Sequence, residues 1–324
     1  MYDIGGNMKK ERITVELLNE YRRVAYYYYK AGLTQDEIAK KFKMSRQRVN
    51  RILGSCIEMG IVKISIDGLD KCNLEVEAAL EKKYGLRDVR IVGDTTDMDM
   101  IDSLGDASAN YLKNNIDKGE VIGITRGRTI SAMVEQLSFG NQQDKDITVT
   151  QLMGNTKEEN REYGVDKMVF LLAEKLKAKE ELLYAPVIVG DASAKKVYMQ
   201  DPFCKMTYNI MKSCSIAVVG IGTAHSQWKH MVSLYDKKDA QELKWAESVV
   251  GEVCTHFFDK NGNEIIPPFR DRIIALALKD YKNIPVRIGV AGGKEKAEAI
   301  RGAIKGNYIN VLITDKETAE ILLE

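Results

Sequence analysis

What this chain lacks narrows its possibilities first. Cysteine is sparse: Cys56, Cys72, Cys204, Cys214 and Cys254 are odd in number, scattered, and never form a C-x-x-C pair. That pattern argues for free thiols in a reducing cytoplasm rather than a disulfide framework. The three histidines, His225, His230 and His256, lack metal-ligand spacing, so no metal is expected. The opening MYDIGGNMKK has no apolar core of a signal peptide. The longest uninterrupted apolar run, near residues 216–219, is far too short to span a membrane.

Nucleotide signatures are missing too. A P-loop needs a glycine five positions before Gly293 and a hydroxyl residue after Lys294, but the chain has Ile288 and Glu295. Gly220 and Gly222 would begin a dinucleotide fingerprint only if a third glycine stood at His225. Neither ATP nor NAD is indicated, and no cofactor is expected. No nucleophile–base pair can be read from spacing, and there is no internal repeat or low-complexity tract.

Net charge is only +1, but it is unevenly distributed. Residues 1–66 carry 13 Lys and Arg against 7 Asp and Glu, whereas the remainder carries 35 against 40. A basic head on a mildly acidic body is expected when only the head meets a polyanion. The length of 324 residues fits two domains, which we place at 11–67 and 74–324 across the polar stretch DGLDKCN.

The head reads as a helix-turn-helix. Apolar residues recur at helical spacing from residue 11 to about residue 29. Of the four consecutive tyrosines at 26–29, one or two should pack and the others face outward. Gly32 stops this helix. Thr34 caps the next, with Glu37 completing a T-x-x-E capping box. Lys43 and Met44 make the turn, and Ser45 caps a third helix. Val49, Ile52, Leu53 and Ile57 of that helix should point inward, leaving Arg46, Gln47, Arg48, Asn50 and Arg51 on the outer face. Gln pairs bidentately with adenine and Arg with guanine, so this is the face of a DNA reader. Thr34 and Gln35 complete the predicted contacts, while Lys40, Lys41 and Lys43 sit where phosphates would pass. Gly60 ends the helix, and residues 61–67 alternate as a wing strand.

Beyond residue 74 the pattern changes to α/β, with short β-branched strands alternating with helices. Strands are predicted at 89–92, 121–124, 147–152, 187–189, 216–219, 286–290 and 311–313. Helices are predicted near 102–116, 128–138, 164–178, 270–281 and 294–304. HFFDKNGNEII, at 256–266, reads as a hairpin about Asn261-Gly262. In such a parallel sheet, ligands bind beyond the carboxyl ends of the strands. GITRGRT runs a strand through Gly123, Thr125, Arg126, Gly127, Arg128 and Thr129 into a helix N-terminus, an arrangement suited to phosphate. At least one of Arg126 and Arg128 should face the anion. GVAGGK places Lys294 at a second such end. VVGIGTAH is a third, where the glycines read as backbone geometry.

GLTQDEIAKKFKMSRQRVNRIL, GITRGRTI, VVGIG, GEVCTHFFDKNG and IGVAGGKEKAEAIRGAIKGNYINVLITDKETAEILL together resemble the SorC-type (sorbitol operon regulator) family of bacterial transcription factors. The resemblance runs from about Arg22 to the end of the chain. It implies a DNA-binding head and an effector domain like the sugar-phosphate isomerases, with assembly as dimers or tetramers. It further implies that GITRGRT is the phosphate loop, that Gly154 and Asn155 form the next loop, and that Glu252 and Lys294 contact sugar and phosphate. Many members have Trp-Gly or Gly-Gly in place of Arg126-Gly127, and Gly-Gly in place of Gly154-Asn155. The extra arginine points to a more anionic or differently placed phosphate.

The expectation is therefore a cytoplasmic, homo-oligomeric regulator with no membrane partner. It would bind double-stranded operator DNA under the control of a phosphorylated sugar. The competing expectation is an isomerase- or deaminase-like enzyme with an appended DNA-binding domain, using Asp191 or Glu252 as general base.

Overall fold

The computed structural model describes residues 15–64, 72–93, 97–138, 146–156, 164–223 and 243–324. They form two compact units, divided between Asp70 and Lys71.

The smaller unit is three helices: α1 (Val15–Tyr29), α2 (Gln35–Phe42) and α3 (Arg46–Glu58). Val24, Ala25, Ile38, Ala39, Val49, Ile52, Leu53 and Cys56 fill its core. The α3 stripe follows the 3,4 spacing of a helix packed on one side. It stops at Cys56, and Ile57, expected inside, is 45% exposed. Tyr27 packs edge-on against Phe42 at 5.6 Å, whereas Tyr26, Tyr28 and Tyr29 face outward. The predicted wing strand is not seen at residues 61–64, which are irregular; 65–67 lie outside the described residues.

In the larger unit, α4 (Leu74–Tyr84), β1 (Asp88–Val92), α5 (Asp97–Asn115), β2 (Val121–Ile124), α6 (Arg128–Gln136), β3 (Thr148–Gln151), α7 (Val165–Leu176) and β4 (Lys179–Glu181) follow in order. Then come α8 (Ala192–Gln200), α9 (Pro202–Lys212), β5 (Ile216–Gly220), β6 (Gly222–Thr223), β7 (Gly251–Val253), β8 (His256–Phe258) and β9 (Glu264–Ile265). The chain closes with α10 (Leu278–Lys282), β10 (Val286–Val290), α11 (Ala297–Lys305), β11 (Val311–Asp315) and α12 (Lys316–Leu323).

Seven strands form a parallel sheet in the order β1-β11-β10-β5-β2-β3-β4. Both faces are covered, so the central strands are apolar on both sides. Ile122, Ile124, Val218 and Ile288 face one core with α5–α7, while Ala217, Val219 and Leu312 face the other. After β2 the chain steps outward to β3 and β4; after β5 it steps the opposite way to β10 and β11. The β2/β5 boundary is therefore the switch point, where the strand ends leave a crevice. A second, antiparallel sheet, β6-β7-β8-β9, grows from the end of β5.

Two sequence expectations fail here, for related reasons. Residues 187–189 are fully buried but make only isolated bridges, Pro186 with Asn155 and Ile188 with Ile273. The seventh sheet position belongs instead to β4, Lys-Glu-Glu, whose charges suit an edge strand and hide it from an apolar search. The helix predicted at 270–281 is a 3-10 turn, Arg270–Arg272, then extended chain, then the short α10. Its apolar residues Ile273, Ile274 and Leu276 are buried because the segment lies alongside two neighbours: Ile274 N donates to Val187 O, and Leu276 N to Leu152 O. The hairpin at 256–266 forms as β8 and β9, with Phe257 opposite Ile265. The preceding β7–β8 turn uses left-handed Cys254 and Thr255, a pair with no Gly or Asn to signal it.

Candidate functional site

In the smaller unit, both caps of the helix-turn-helix form. Thr34 Oγ1 accepts from Glu37 N at 3.3 Å, and Thr34 N donates to Glu37 at 2.8 Å. Those bonds hold the Glu37 carboxyl below its usual range. Lys43 takes the left-handed conformation that reverses the chain, and Ser45 caps α3 by accepting from Arg48 N. These caps and the left-handed Lys43 shape the α2–α3 turn, which ties Thr34 and Ser45 to architecture.

Arg46, Gln47, Arg48, Asn50 and Arg51 all lie on the exposed face of α3, with Gln35 half-buried at the head of α2. Two of the arginines are already paired. Arg48 contacts Glu20 of α1 at 3.1 Å, and Arg46 lies 3.6 Å from Asp36 of α2. Lys41 rests over the Tyr27 ring at 4.7 Å with its ammonium still exposed, and Lys43 is exposed beside it. Gln47, Asn50 and Arg51 are exposed on the same outer face.

In the larger unit, several predicted positions converge at the switch point. Thr125, 4% exposed, accepts from Gly220 N at 3.3 Å and so joins the ends of β2 and β5. Two residues on, Gly222 pairs with Glu252, bringing β7 to the same end of the sheet. Gly127, at φ 143°, starts α6 without a side-chain cap, leaving the first N–H groups of that helix free to meet an anion. Arg128, exposed, and Thr129, half-buried, form its first turn; Arg126 is half-buried.

Lys296 was missed by sequence reasoning. Burial pushes its ammonium below the ordinary lysine value, Glu295 pulls it back, and the Arg128 guanidinium pushes it down further. Two cations 168 positions apart in sequence are therefore close enough in the fold to repel each other. Lys294, selected from the sequence, turns the other way: its side chain is 71% exposed and its Nζ lies 3.7 Å from Glu317 of α12. The only sequence signal was the presence of two lysines, Lys294 and Lys296, with a 3-10 turn between them that cannot be foreseen. That loop is pinned by Asp315, 6% exposed, which accepts from Gly293 N at 2.7 Å and from Thr318 N and Oγ1. Burial alone would raise the Asp315 carboxyl; those hydrogen bonds outweigh it and leave it below the usual range.

Packing accounts for other predicted contacts. A Cβ on Gly123 would lie 2.4 Å from Leu152, and one on Gly154 would lie 2.6 Å from the Pro186 backbone. Asn155 is held at both ends: its N donates to Ala185 O at 2.8 Å and its Oδ1 accepts from Gln151 at 3.2 Å. Glu252 accepts from Thr255 N at 3.0 Å, closing its own hairpin. Asp191 caps α8 by accepting from Ser193 and Ala194, which holds it below the usual carboxylate range. That is the opposite of the raised carboxyl a general base requires. His225 and His230 lie outside the described residues; among the described residues no acidic, His and Cys cluster is grouped to hold a metal. No helix among them is long and apolar enough to cross a membrane.

Residues 12–63 match the winged helix-turn-helix DNA-binding family, and residues 71–324 match the family described as "Putative sugar-binding domain". The sorbitol operon regulator of Klebsiella pneumoniae is 28% identical over 305 residues, covering 93% of this chain and 96% of that protein. The transcriptional regulator LsrR of Escherichia coli is 29% identical over 306 residues, covering 93% of each. The crystal structure of the full-length Klebsiella regulator superposes with a TM-score of 0.74 at 27% identity, over 95% of this chain and all of that one. A probable sor operon regulator from Shigella flexneri gives 0.72 at 28% identity, over 78% of this chain and 99% of that one. With a helix-turn-helix head and a sugar-binding-type body matched along nearly its whole length, the chain belongs to the SorC family of transcriptional regulators.

Proposed function

We propose that this regulator binds duplex operator DNA through α3 and is controlled by a phosphorylated sugar held at the β2/β5 switch point. The observation that supports the effector's chemistry is the uncapped start of α6 at the end of β2, with Arg128 in its first turn and Lys296 near enough to feel the Arg128 charge. Two cations and a set of free N–H groups converge there, an arrangement stabilised by a phosphate and strained without one. Glu252, on β7 at the same end, is the acceptor for sugar hydroxyls. Arg128 faces the phosphate, and Arg126 supports the loop.

A sugar phosphate shifts the protein between DNA-competent and DNA-incompetent states only through different affinities for the two. The 71–324 unit is the effector-binding and oligomerising domain, residues 12–63 are the reader, and the protein works in the cytoplasm as a homodimer or homotetramer. Sites with paired half-operators require two readers.

A thermal-shift screen of sugar phosphates against their unphosphorylated sugars tests the effector. A ligand at 100 times its dissociation constant stabilises by about 2.7 kcal/mol. The hit should need the phosphate and should be lost in Arg128→Ala and in Lys296→Met. A hit that survives both substitutions refutes this placement.

A further inference from the structure

We propose that Arg23 of α1 is a further contact to the DNA backbone, held beside the reading helix by a ladder of rings and cations across the α1–α2 seam. The Arg23 guanidinium lies over the Phe42 ring of α2, 5.2 Å from its centre. Phe42 meets Tyr27 of α1 edge-on at 5.6 Å, and the Lys41 ammonium lies over Tyr27 at 4.7 Å. The stack therefore has a cation at each end and two rings between them, both half-buried against the core of the smaller unit.

Local spacing builds this ladder. Arg23 and Tyr27 are four residues apart and share one face of α1. Phe42 is the last residue of α2, immediately before left-handed Lys43 turns the chain towards α3. Its ring fills the seam and offers a negative π face to the guanidinium. A planar guanidinium stacks there while its fork of five donors stays available at the edge.

The placement directs that charge at DNA. Glu20, one turn before Arg23 on the same face of α1, reaches Arg48 in the first turn of α3. The α1 face that carries Arg23 thus borders the start of the helix that enters the major groove, where flanking phosphates pass. Arg46 and Arg48 are paired with Asp36 and Glu20, whereas Arg23 is exposed and, among the described residues, rests on a ring alone. As a staple between helices an exposed contact of this kind supplies only about 0.5–1 kcal/mol. As a phosphate contact it gains more, because a guanidinium fixed in advance loses little freedom on binding and pairs with phosphate through charged hydrogen bonds.

This inference rests on α3 being the DNA reader, and its test separates the two. Fluorescence anisotropy with a duplex of random sequence, between ~50 and ~200 mM salt, gives affinity and its salt slope. Arg23→Gln should weaken binding and reduce the slope by ~0.9, the loss of one phosphate contact. A staple between helices would change the melting temperature and leave the slope alone. Phe42→Leu keeps the charge and removes its platform, so affinity should fall while the slope holds. Arg22→Gln, at an arginine about 100° around α1 and turned towards Asn19, should match wild type. Far-UV circular dichroism checks that each variant is folded; if Phe42→Leu is not, the Arg23→Gln slope decides alone. A wild-type slope in Arg23→Gln overturns the proposal and leaves the α3 reading standing, as does an equal loss of slope in Arg22→Gln. Unchanged affinity in a folded Phe42→Leu overturns the ladder's part. A wild-type chain that binds no duplex defeats the α3 reading and this contact with it.

Discussion

The Nη2 atom of Arg48 contacts both carboxylate oxygens of Glu20, at 3.1 and 3.2 Å, joining the reading helix to α1. The pair aims the guanidinium and also places a negative charge on the surface meant for DNA. These two effects have opposite consequences when the carboxylate is neutralised. Glu20→Gln should raise affinity for all duplexes and steepen its salt dependence. It should also lower the ratio of operator to non-specific binding, because Arg48 then samples many directions. Fluorescence anisotropy with operator and random duplexes, across a salt series, measures both. An unchanged ratio would mean that Glu20 does not position a reading residue.

The Gly154 position makes a purely structural prediction. A methyl there would meet the Pro186 carbonyl carbon and oxygen at 2.6 Å, and the Ala185 oxygen at 2.7 Å. Backbone cannot yield as a flexible side chain does, so the β3 end must separate from the 185–187 segment. Gly154→Ala should cost about 1–3 kcal/mol in the larger unit, read by thermal unfolding. A melting temperature within error of wild type would show that the two segments are not so closely apposed.

How much was legible depended on what each residue was used for. The helix-turn-helix could be read nearly residue by residue because its capping box, turn and apolar stripe are all local. Strands β2, β5, β10 and β11 were legible because burial on both faces demands continuous β-branched residues. β4 was not, since an edge strand gains from the charges of Lys179, Glu180 and Glu181. The 270–281 segment misled because Ile273, Ile274 and Leu276 are buried along extended chain lying beside two neighbouring segments rather than along one helix face. The strand-end rule pointed to the same end of the sheet at which Thr125 joins β2 to β5 and Glu252 is brought in by β7. The choice between Lys294 and Lys296, by contrast, depends on the single turn between them and on the distant Arg128.

Asp315 should make the larger unit sensitive to acid. Its carboxylate fixes the Gly293 N–H and the start of α12, and its pKa is lowered in the folded chain. A carboxyl depressed on folding contributes stability that is fully present above its unfolded value of about 3.9. That contribution is lost as pH falls through the lower folded value. Asp315→Asn should therefore melt earlier than wild type at pH 7, by roughly 2–3 kcal/mol of lost charged hydrogen bonds, and the gap should close toward pH 3. A constant gap across that range would assign the effect to packing rather than to charge.

Lys296 leads to a prediction for the effector itself. Its ammonium titrates below the ordinary lysine value because of burial first, with Arg128 adding to the effect against Glu295. A lysine is charged below its pKa, so raising pH through this lowered value neutralises Lys296 and removes one of the two cations proposed to hold the phosphate. Sugar-phosphate affinity should hold steady from about pH 7 to 8, where the phosphate is already mostly dianionic. It should then decline at lower pH than a solvated lysine, at about 10.4, would dictate. The unliganded fold follows the same group: the cost of holding charged Lys296 is fully present below its folded pKa and is relieved as pH rises through it. Bound phosphate offsets that cost, so the ligand's stabilising effect should shrink over the same alkaline range. Lys296→Arg keeps its charge throughout and should lose the decline even if its affinity is altered at pH 7. Calorimetric titrations from pH 7 to 10 on both proteins decide the matter; an identical alkaline fall in each would show that Lys296 does not face the anion.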